Sequence, residues 1–286
     1  MICTRNRPAM LRNCLEAVCR SDRAPDEVIV VDNSTGDADT ESLAREFHAR
    51  YVLEPNVGLS HARNRGLAEN NSDILVYIDD DAVPEANWLR LMLEPFSDPT
   101  TSVVTGGTVL PGSSFNQIDY PHNRSVSNQD PYWFEMAAFG GLGIGTNMAL
   151  RKRASTGFVL FDERLGRGAP LNAMEENHAF VRLLETGHRA VYVPNAIVVH
   201  PSEKRATLEQ DMLHLVAYFW LLFFDFPRNR KDLISFICRR LRHKPLNWAR
   251  NSPRLGQINS SEWRVRIKAI IAGTVLYWGL KNPKVA

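Results

Sequence analysis

Short apolar runs alternate, from the first residues onward, with stretches in which apolar side chains return at helical spacing. That alternation predicts βα units around a mostly parallel central sheet flanked by helices, an α/β fold. Strands are expected at Val28 to Asp32, Tyr51 to Leu53, Ile74 to Asp79, Ser102 to Val109 and Val191 to Val199. The last is expected to break at Pro194, which has no N–H for a ladder. Helical faces are read in Met10, Leu11, Cys14, Leu15 and Val18 behind Pro8, in HARNRGLAEN capped by Ser60, and in Trp88, Leu91 and Met92. Only Ile2 and Cys3 precede the turn Thr4-Arg5-Asn6-Arg7-Pro8, so the first strand reads as cut short, by truncation or by a late-assigned start.

From Pro111 to Phe134 the chain is rich in Ser, Asn, Gln, Asp and Pro without clear periodicity. A connection that long inside a compact domain is a candidate substrate flap. The run GGLGIG at 140–145 lacks both the preceding apolar strand and the following helix of a dinucleotide fingerprint, which sets that reading aside.

Length and composition change the picture only when the chain is divided. With 286 residues, 44% of them hydrophobic, it can hold one large α/β domain and an appendage. Residues 1–200 carry 18 Lys/Arg against 26 Asp/Glu, whereas residues 201–286 carry 16 against 6. The expected division is a catalytic domain at 1–201 and a helical, basic region at 202–286. Cys3, Cys14, Cys19 and Cys238 have neither CxxC spacing nor the density of a disulfide scaffold, so reduced structural thiols in a cytoplasmic setting are expected. No apolar run reaches the roughly 20 residues needed to span a bilayer.

The chemistry starts at VYIDDDAVP, residues 76–84, where an apolar run ends in Asp79, Asp80 and Asp81. Adjacent like charges need a cation, and carboxylate oxygens at the C-terminal end of a strand suit a hard divalent ion, Mg2+ or Mn2+. A solvated turn closed by Pro84 is the plain alternative. Farther on, Glu175 and Glu176 open a helix with an apolar face of Phe180, Leu183 and Leu184, ended by Gly187. The helix dipole is expected to hold a first-turn carboxylate ionised, ready as a base, and ordinary dipole compensation would look the same. His200 closes an apolar strand before Pro201, as a metal ligand or as a structurally satisfied histidine.

Taken together, ICTRNRPAMLRNCLEAV, VIVVDNST, NVGLSHARNRGL, DILVYIDDDAVPEANWL, GTNMALRK, GFVLFDERLG and the stretch from EENHAFVRLL to VVHP resemble the family 2 glycosyltransferases of the GT-A fold. The likeness covers about residues 1–201 in the family's order. It implies that Thr4, Arg7 and Asp32 line the nucleotide pocket, with Asp32 on the base, and that Arg63 and Asn64 lie near base and diphosphate. It implies that Asp79 and Asp81 form the DxD pair, with Asp81 on the metal and Asp79 near ribose or metal; Asp80 competes if the frame slides by one. Glu175-Glu176 falls on the family's Glu-Asp motif, whose second acid commonly serves as catalytic base. Glu176 is therefore the first choice and Glu175 the second, and His200 can complete the metal site.

The function so implied is inverting, metal-dependent transfer of a sugar from a nucleotide-diphosphate donor to a hydroxyl, in cell-surface glycan or polysaccharide synthesis on a glycan or lipid-linked acceptor. Two alternatives remain: a non-catalytic sugar-nucleotide-binding module that lost its base, and a nucleotidyltransferase. In the tail, LHLVAYFWLLFFDFP is followed by Arg228, Arg230, Lys231, Arg239, Arg240, Arg242 and Lys244. Residues 213–244 are read either as a peripheral contact with an anionic membrane surface at the inner face or as a packed helical subdomain, and IKAIIAGTVLYWGL at 267–280 joins either. Nucleic acid is not expected, since no recognised binding motif accompanies the charge.

Overall fold

The computed structural model describes residues 1–36, 38–112, 121–201, 207–243 and 260–281. The first elements are β1 (Ile2–Thr4), α1 (Pro8–Cys19), β2 (Ile29–Asp32), α2 (Ala38–Glu46), β3 (Arg50–Leu53), α3 (Leu59–Glu69), β4 (Ile74–Asp79), β5 (Val83–Pro84) and α4 (Trp88–Leu93). They are followed by β6 (Thr101–Val109), β7 (Arg124–Val126), α5 (Trp133–Ala138), β8 (Asn147–Arg151), α6 (Glu175–Glu185) and β9 (Arg189–Val199). Helices α7 (Leu208–Asp225), α8 (Arg230–His243) and α9 (Ser260–Lys281) come last.

Nine strands form one sheet in the order β3-β2-β1-β4-β8-β6-β9-β5, with β7 also pairing β9. Pairs β1–β2, β1–β4, β2–β3 and β6–β9 are parallel; β4–β8, β6–β8, β5–β9 and β7–β9 are antiparallel. β2 and β6 are buried at every position, although β6 fills its places with Thr, Ser and Gly beside Val103, Val104 and Val109. The chain winds outward from β1 through β2 to β3, then returns to β1's other side as β4. This reversal opens a crevice at the strands' C-terminal ends, where Thr4 pairs with Asp32 and Cys3 with Asp79.

Several expectations shift. In α1 the stripe Leu11, Cys14, Leu15 and Val18 is buried, but Met10 is 45% exposed and faces water. Gly58, not Ser60, occupies the N-cap of α3; Ser60 lies one residue inside the helix and donates its hydroxyl to the Leu165 carbonyl (2.7 Å). β9 runs through Pro194, although its register against β6 jumps there, from Gly106–Val193 to Thr108–Val198. Residues 111–134 are not all irregular: β7 adds to the sheet and α5 begins at Trp133, while residues 113–120 of the expected flap lie outside the described residues.

Asn147, at the start of β8, fixes the far half of the sheet. It accepts from the Trp88 indole and donates to the Gly107 and Ala196 carbonyls, each at 2.8 Å. Gly106 makes room for it, since a Cβ there would stand 2.3 Å from Asn147 Nδ2 and from the Ala196 oxygen.

The chain divides into two compact units, Met1–Ala169 with Glu175–Ser202, and Pro170–Met174 with Glu203–Ala286. In the second, a capping box between Thr207 and Gln210 starts α7. Leu215, Ala217, Tyr218, Leu221 and Leu222 are buried, so much of the apolar run at 215–224 is core. Lys244 lies outside the described residues, as do the side chains of Arg240 and Arg242.

Candidate active site

The three aspartates at the end of β4 have three environments. Asp80 points inward: it is 1% exposed, accepts from the Thr4 hydroxyl (2.7 Å) and pairs with Arg7 (3.3 Å). Burial raises its pKa to about 6 against the pull of Arg7 and Thr4. Asp81 takes the other arm of Arg7 at 2.9 Å and His200 Nε2 at 3.0 Å. Burial would raise its pKa, but His200 and Arg7 together bring it below the usual carboxylate range. Asp79 stands 3.8 Å from His200 Nε2 and 3.5 Å from Arg63. For His200, burial works toward a lower pKa, and Asp81 and Asp79 overcome it to raise the value.

Asp79, Asp81 and His200 each offer a ligand atom, all within 4.8 Å of one another. Two carboxylates and an imidazole suit Mg2+ or Mn2+, so the donor set fits a divalent ion. Asp80 is turned away into its bonds with Thr4 and Arg7, which favours the Asp79–Asp81 frame. His200 reaches the group because β9 ends there, held by the bond from its N–H to the Val109 carbonyl (2.9 Å).

Arg63 connects this cluster to the glutamates. Its guanidinium is 3% exposed, 2.7 Å from Glu175 and 3.5 Å from Asp79, and lies over the Phe161 ring. Burial would lower its pKa, yet Glu175, Asp79 and Glu176 hold it above the ordinary value. Gly145 admits it, since a Cβ would stand 2.6 Å from Nη2. The glycine run at 140–145 therefore has a steric role here. The Gly145 N–H also donates to Glu176 (3.3 Å).

Glu175 and Glu176 sit in the first turn of α6, as expected, but the anticipated low pKa does not hold for Glu176. Burial, and then the charge of Glu175, push it up to about 7 against Arg63 and the amides of Glu176 and Gly145. Desolvation and a like charge outweigh the helix dipole.

A cleft of about 330 Å³ opens among Thr4, Arg5, Arg7, Asn33, Asp79, Asp80, Asp81, Arg167 and Gly168. Two of the expected donor contacts also have partners within the protein. Asp32 is fully buried and accepts from the Ser34 N–H and the Tyr51 hydroxyl, both at 2.9 Å. Asn64 exchanges two bonds with the Phe161 backbone, donating to its oxygen (2.8 Å) and accepting from its N–H (3.0 Å). With Ser60 on Leu165 and the Leu59 N–H on the Arg167 oxygen (2.9 Å), α3 clamps residues 161–167 along the cleft. The sequence reading did not single out Arg5, Asn33 or Arg167; only the basic turn after β1 and the Gly-Arg-Gly step at 166–168 hint at them. The Cys3 thiol also reaches the cleft, and burial pushes it up to about 12, which makes it a poor nucleophile.

The sequence profile described as Glycosyl transferase family 2 matches residues 1–157. An N-acetylglucosaminyltransferase of Rhizobium sp. (strain N33) is 25% identical over 214 residues, 69% of this chain and 46% of that protein. A glucosyl-dolichyl phosphate glucuronosyltransferase of Haloferax volcanii is 24% identical over 197 residues, covering 65% of this chain and 59% of its own. The chain spans about half the length of the curated relatives it matches. Among solved structures, the mannosyltransferase PcManGT from Pyrobaculum calidifontis, in complex with GDP-Man and Mn2+, has a TM-score of 0.62 at 19% identity, over 97% of this chain and 85% of that one. S. aureus TarS 1–349 in complex with UDP-GlcNAc has 0.65 at 14%, over 96% and 80%. These likenesses are of fold, and the sheet flanked by helices is the GT-A arrangement. The profile takes in the acid triplet, Arg63 and the crevice residues up to Asp81, over more than half of the residues, and on that ground the chain belongs to glycosyl transferase family 2.

Proposed function

We propose that the chain is an inverting, metal-dependent glycosyltransferase, moving a sugar from a nucleotide-diphosphate donor to a hydroxyl of a glycan or lipid-linked acceptor. The observation that carries this reading is the joint placement of two acid sets. Asp79, Asp81 and His200 converge within 4.8 Å, and Arg63 ties Asp79 to the start of the Glu175–Glu176 helix. The PcManGT complex with GDP-Man and Mn2+ supports the same chemistry here. Cell-surface glycan or polysaccharide synthesis is the setting we assign.

Asp79, Asp81 and His200 would hold the divalent ion, which as a Lewis acid offsets charge on the departing diphosphate. Arg7, fixed by Asp80 and Asp81, and Arg167, which also lines the cleft, would add positive charge beside that diphosphate. Glu175 is committed to Arg63 at 2.7 Å and is 5% exposed, so it positions the guanidinium. Among the described residues Glu176 accepts from backbone amides, and a pKa of about 7 suits a general base near neutral pH. It takes the acceptor proton as that oxygen attacks the anomeric carbon opposite the leaving diphosphate. One displacement inverts the centre.

The test is donor turnover with Mn2+ or Mg2+ and an acceptor screen. Glu176→Gln should lose turnover while still binding donor, and Asp81→Asn should lose the metal dependence of donor binding with its thermal transition intact. Wild-type rates in both variants would overturn the assignment. Donor binding by the wild type without any release of diphosphate would point to a binding module.

A further inference from the structure

Helix α9 has two apolar faces. Ala269, Gly273 and Tyr277 form one, buried against α7. At Gly273 the helices approach so closely that a Cβ would stand 2.5 Å from the Leu213 carbonyl oxygen and 2.8 Å from Val216. The Trp220 indole donates to Thr274 (3.1 Å), and Phe224 stacks on Tyr277 with planes 8° apart. This face anchors the helix.

The other face carries Ile267, Ile271, Val275 and Trp278, one stripe at helical spacing, with Ile270 at its shoulder. Ile271 is 60% exposed and Val275 65%. A contiguous band of large apolar side chains on an already packed helix marks an interaction surface. Its setting is cationic: α9 contains Arg264, Arg266, Lys268 and Lys281 against a single acid, Glu262, in its first turn and off the stripe. Lys268 borders the stripe, and the Lys281 ammonium lies between the Phe224 ring of α7 (4.8 Å) and the Trp278 ring (5.4 Å). Among the described residues no helix is long and apolar enough to cross a membrane.

We propose that α9 seats the protein on an anionic phospholipid surface, with Ile267, Ile271, Val275 and Trp278 at the acyl boundary and Lys268 and Lys281 among the headgroup phosphates. Charge complementarity selects this occupant. A protein partner would need a shaped acidic groove, whereas a bilayer needs only a helix-wide apolar band, no acids within it and cations along its borders. The inference concerns residence at a surface and stands apart from the sugar-transfer reading.

Flotation of the full chain with vesicles tests it. Wild type should float with phosphatidylcholine containing phosphatidylglycerol, and stay behind with phosphatidylcholine alone or at high salt. Ile271→Asp and Val275→Asp should abolish flotation, and so should the milder pair Ile271→Ser and Val275→Ser, with thermal transitions unchanged because both positions face outward. Lys268→Gln and Lys281→Gln should each weaken binding about fivefold. The proposal is overturned if wild type ignores phosphatidylglycerol vesicles, or if the Asp and Ser variants float equally well. It is also overturned if the stripe proves to join two copies, so that the Asp variants turn a dimer into a vesicle-binding monomer.

Discussion

Replacing Glu175 by Gln removes one charge from the glutamate pair at almost constant shape, and its effect should appear in the protonation of Glu176. That carboxyl is pushed up to about 7, first by burial and then by Glu175, so about half of it is ionised at pH 7 and about a tenth at pH 6. A nearby like charge typically accounts for one or more pKa units, and a neutral amide in place of the Glu175 carboxylate would also leave Arg63 freer to favour ionised Glu176. We expect the acid limb of kcat/KM to move down by about one unit, which raises the rate at pH 6 about fivefold relative to the plateau. The assay is donor kcat/KM from pH 5 to 8.5 at saturating metal, beside thermal transitions that report the fold. An unmoved limb, or one shifted upward, would refute the electrostatic account. Loss of all activity in Glu175→Gln, with activity kept in Glu176→Gln, would make Glu175 the base.

Three further outcomes follow from the same residues. The folded pKa of Glu176 lies above its ordinary 4.5, so its contribution to stability is fully present below about 4.5 and lost as pH rises through about 7; Glu176→Gln should therefore gain thermal stability over wild type at pH 8 and match it at pH 4.5. Arg63→Met leaves Glu175 and Asp79 without their shared cation and should cost roughly 3 to 5 kcal/mol in denaturant unfolding, while moving the acid limb upward. An unchanged midpoint would contradict the bridge. Arg167→Ala should weaken binding of a nucleoside diphosphate about tenfold in calorimetry and leave the matching nucleoside unaffected, because the role proposed for Arg167, which lines the cleft, is to add charge beside the phosphates.

The legible part of the molecule is what local pattern reports. Apolar runs located β2, β4, β6 and β9 to within a few residues, and the acids at the end of β4 and the start of α6 stand where periodicity ends. Partnership across the chain was not legible. Arg63 meets Glu175 from 112 positions away, and nothing around HARNRG states that it will bridge rather than face ligand. Nothing in the sequence announces that Asn64 exchanges bonds with the backbone of Phe161. Ser60 has the chemistry of a cap, yet the preceding Gly58 starts the helix and frees the hydroxyl for Leu165. The protonation of Glu176 depends on desolvation and on the charges of Glu175 and Arg63, which come together only in the fold. β7 is too short to print a period.

The route from Glu175 to His200 constrains how this architecture can diverge. Eleven residues of α6 carry the chain about 16 Å away from the crevice, and the eleven of β9 bring it back. Both ends of this excursion are chemical, and its middle is a single tight corner at Gly187. Inserting or deleting a residue within either arm would rotate or flip one end relative to the other, so lengths there are frozen in a way that those of surface connections are not. Change is then most readily accommodated at 166–169, which borders the crevice, with the distance between Glu176 and the His200 imidazole left untouched.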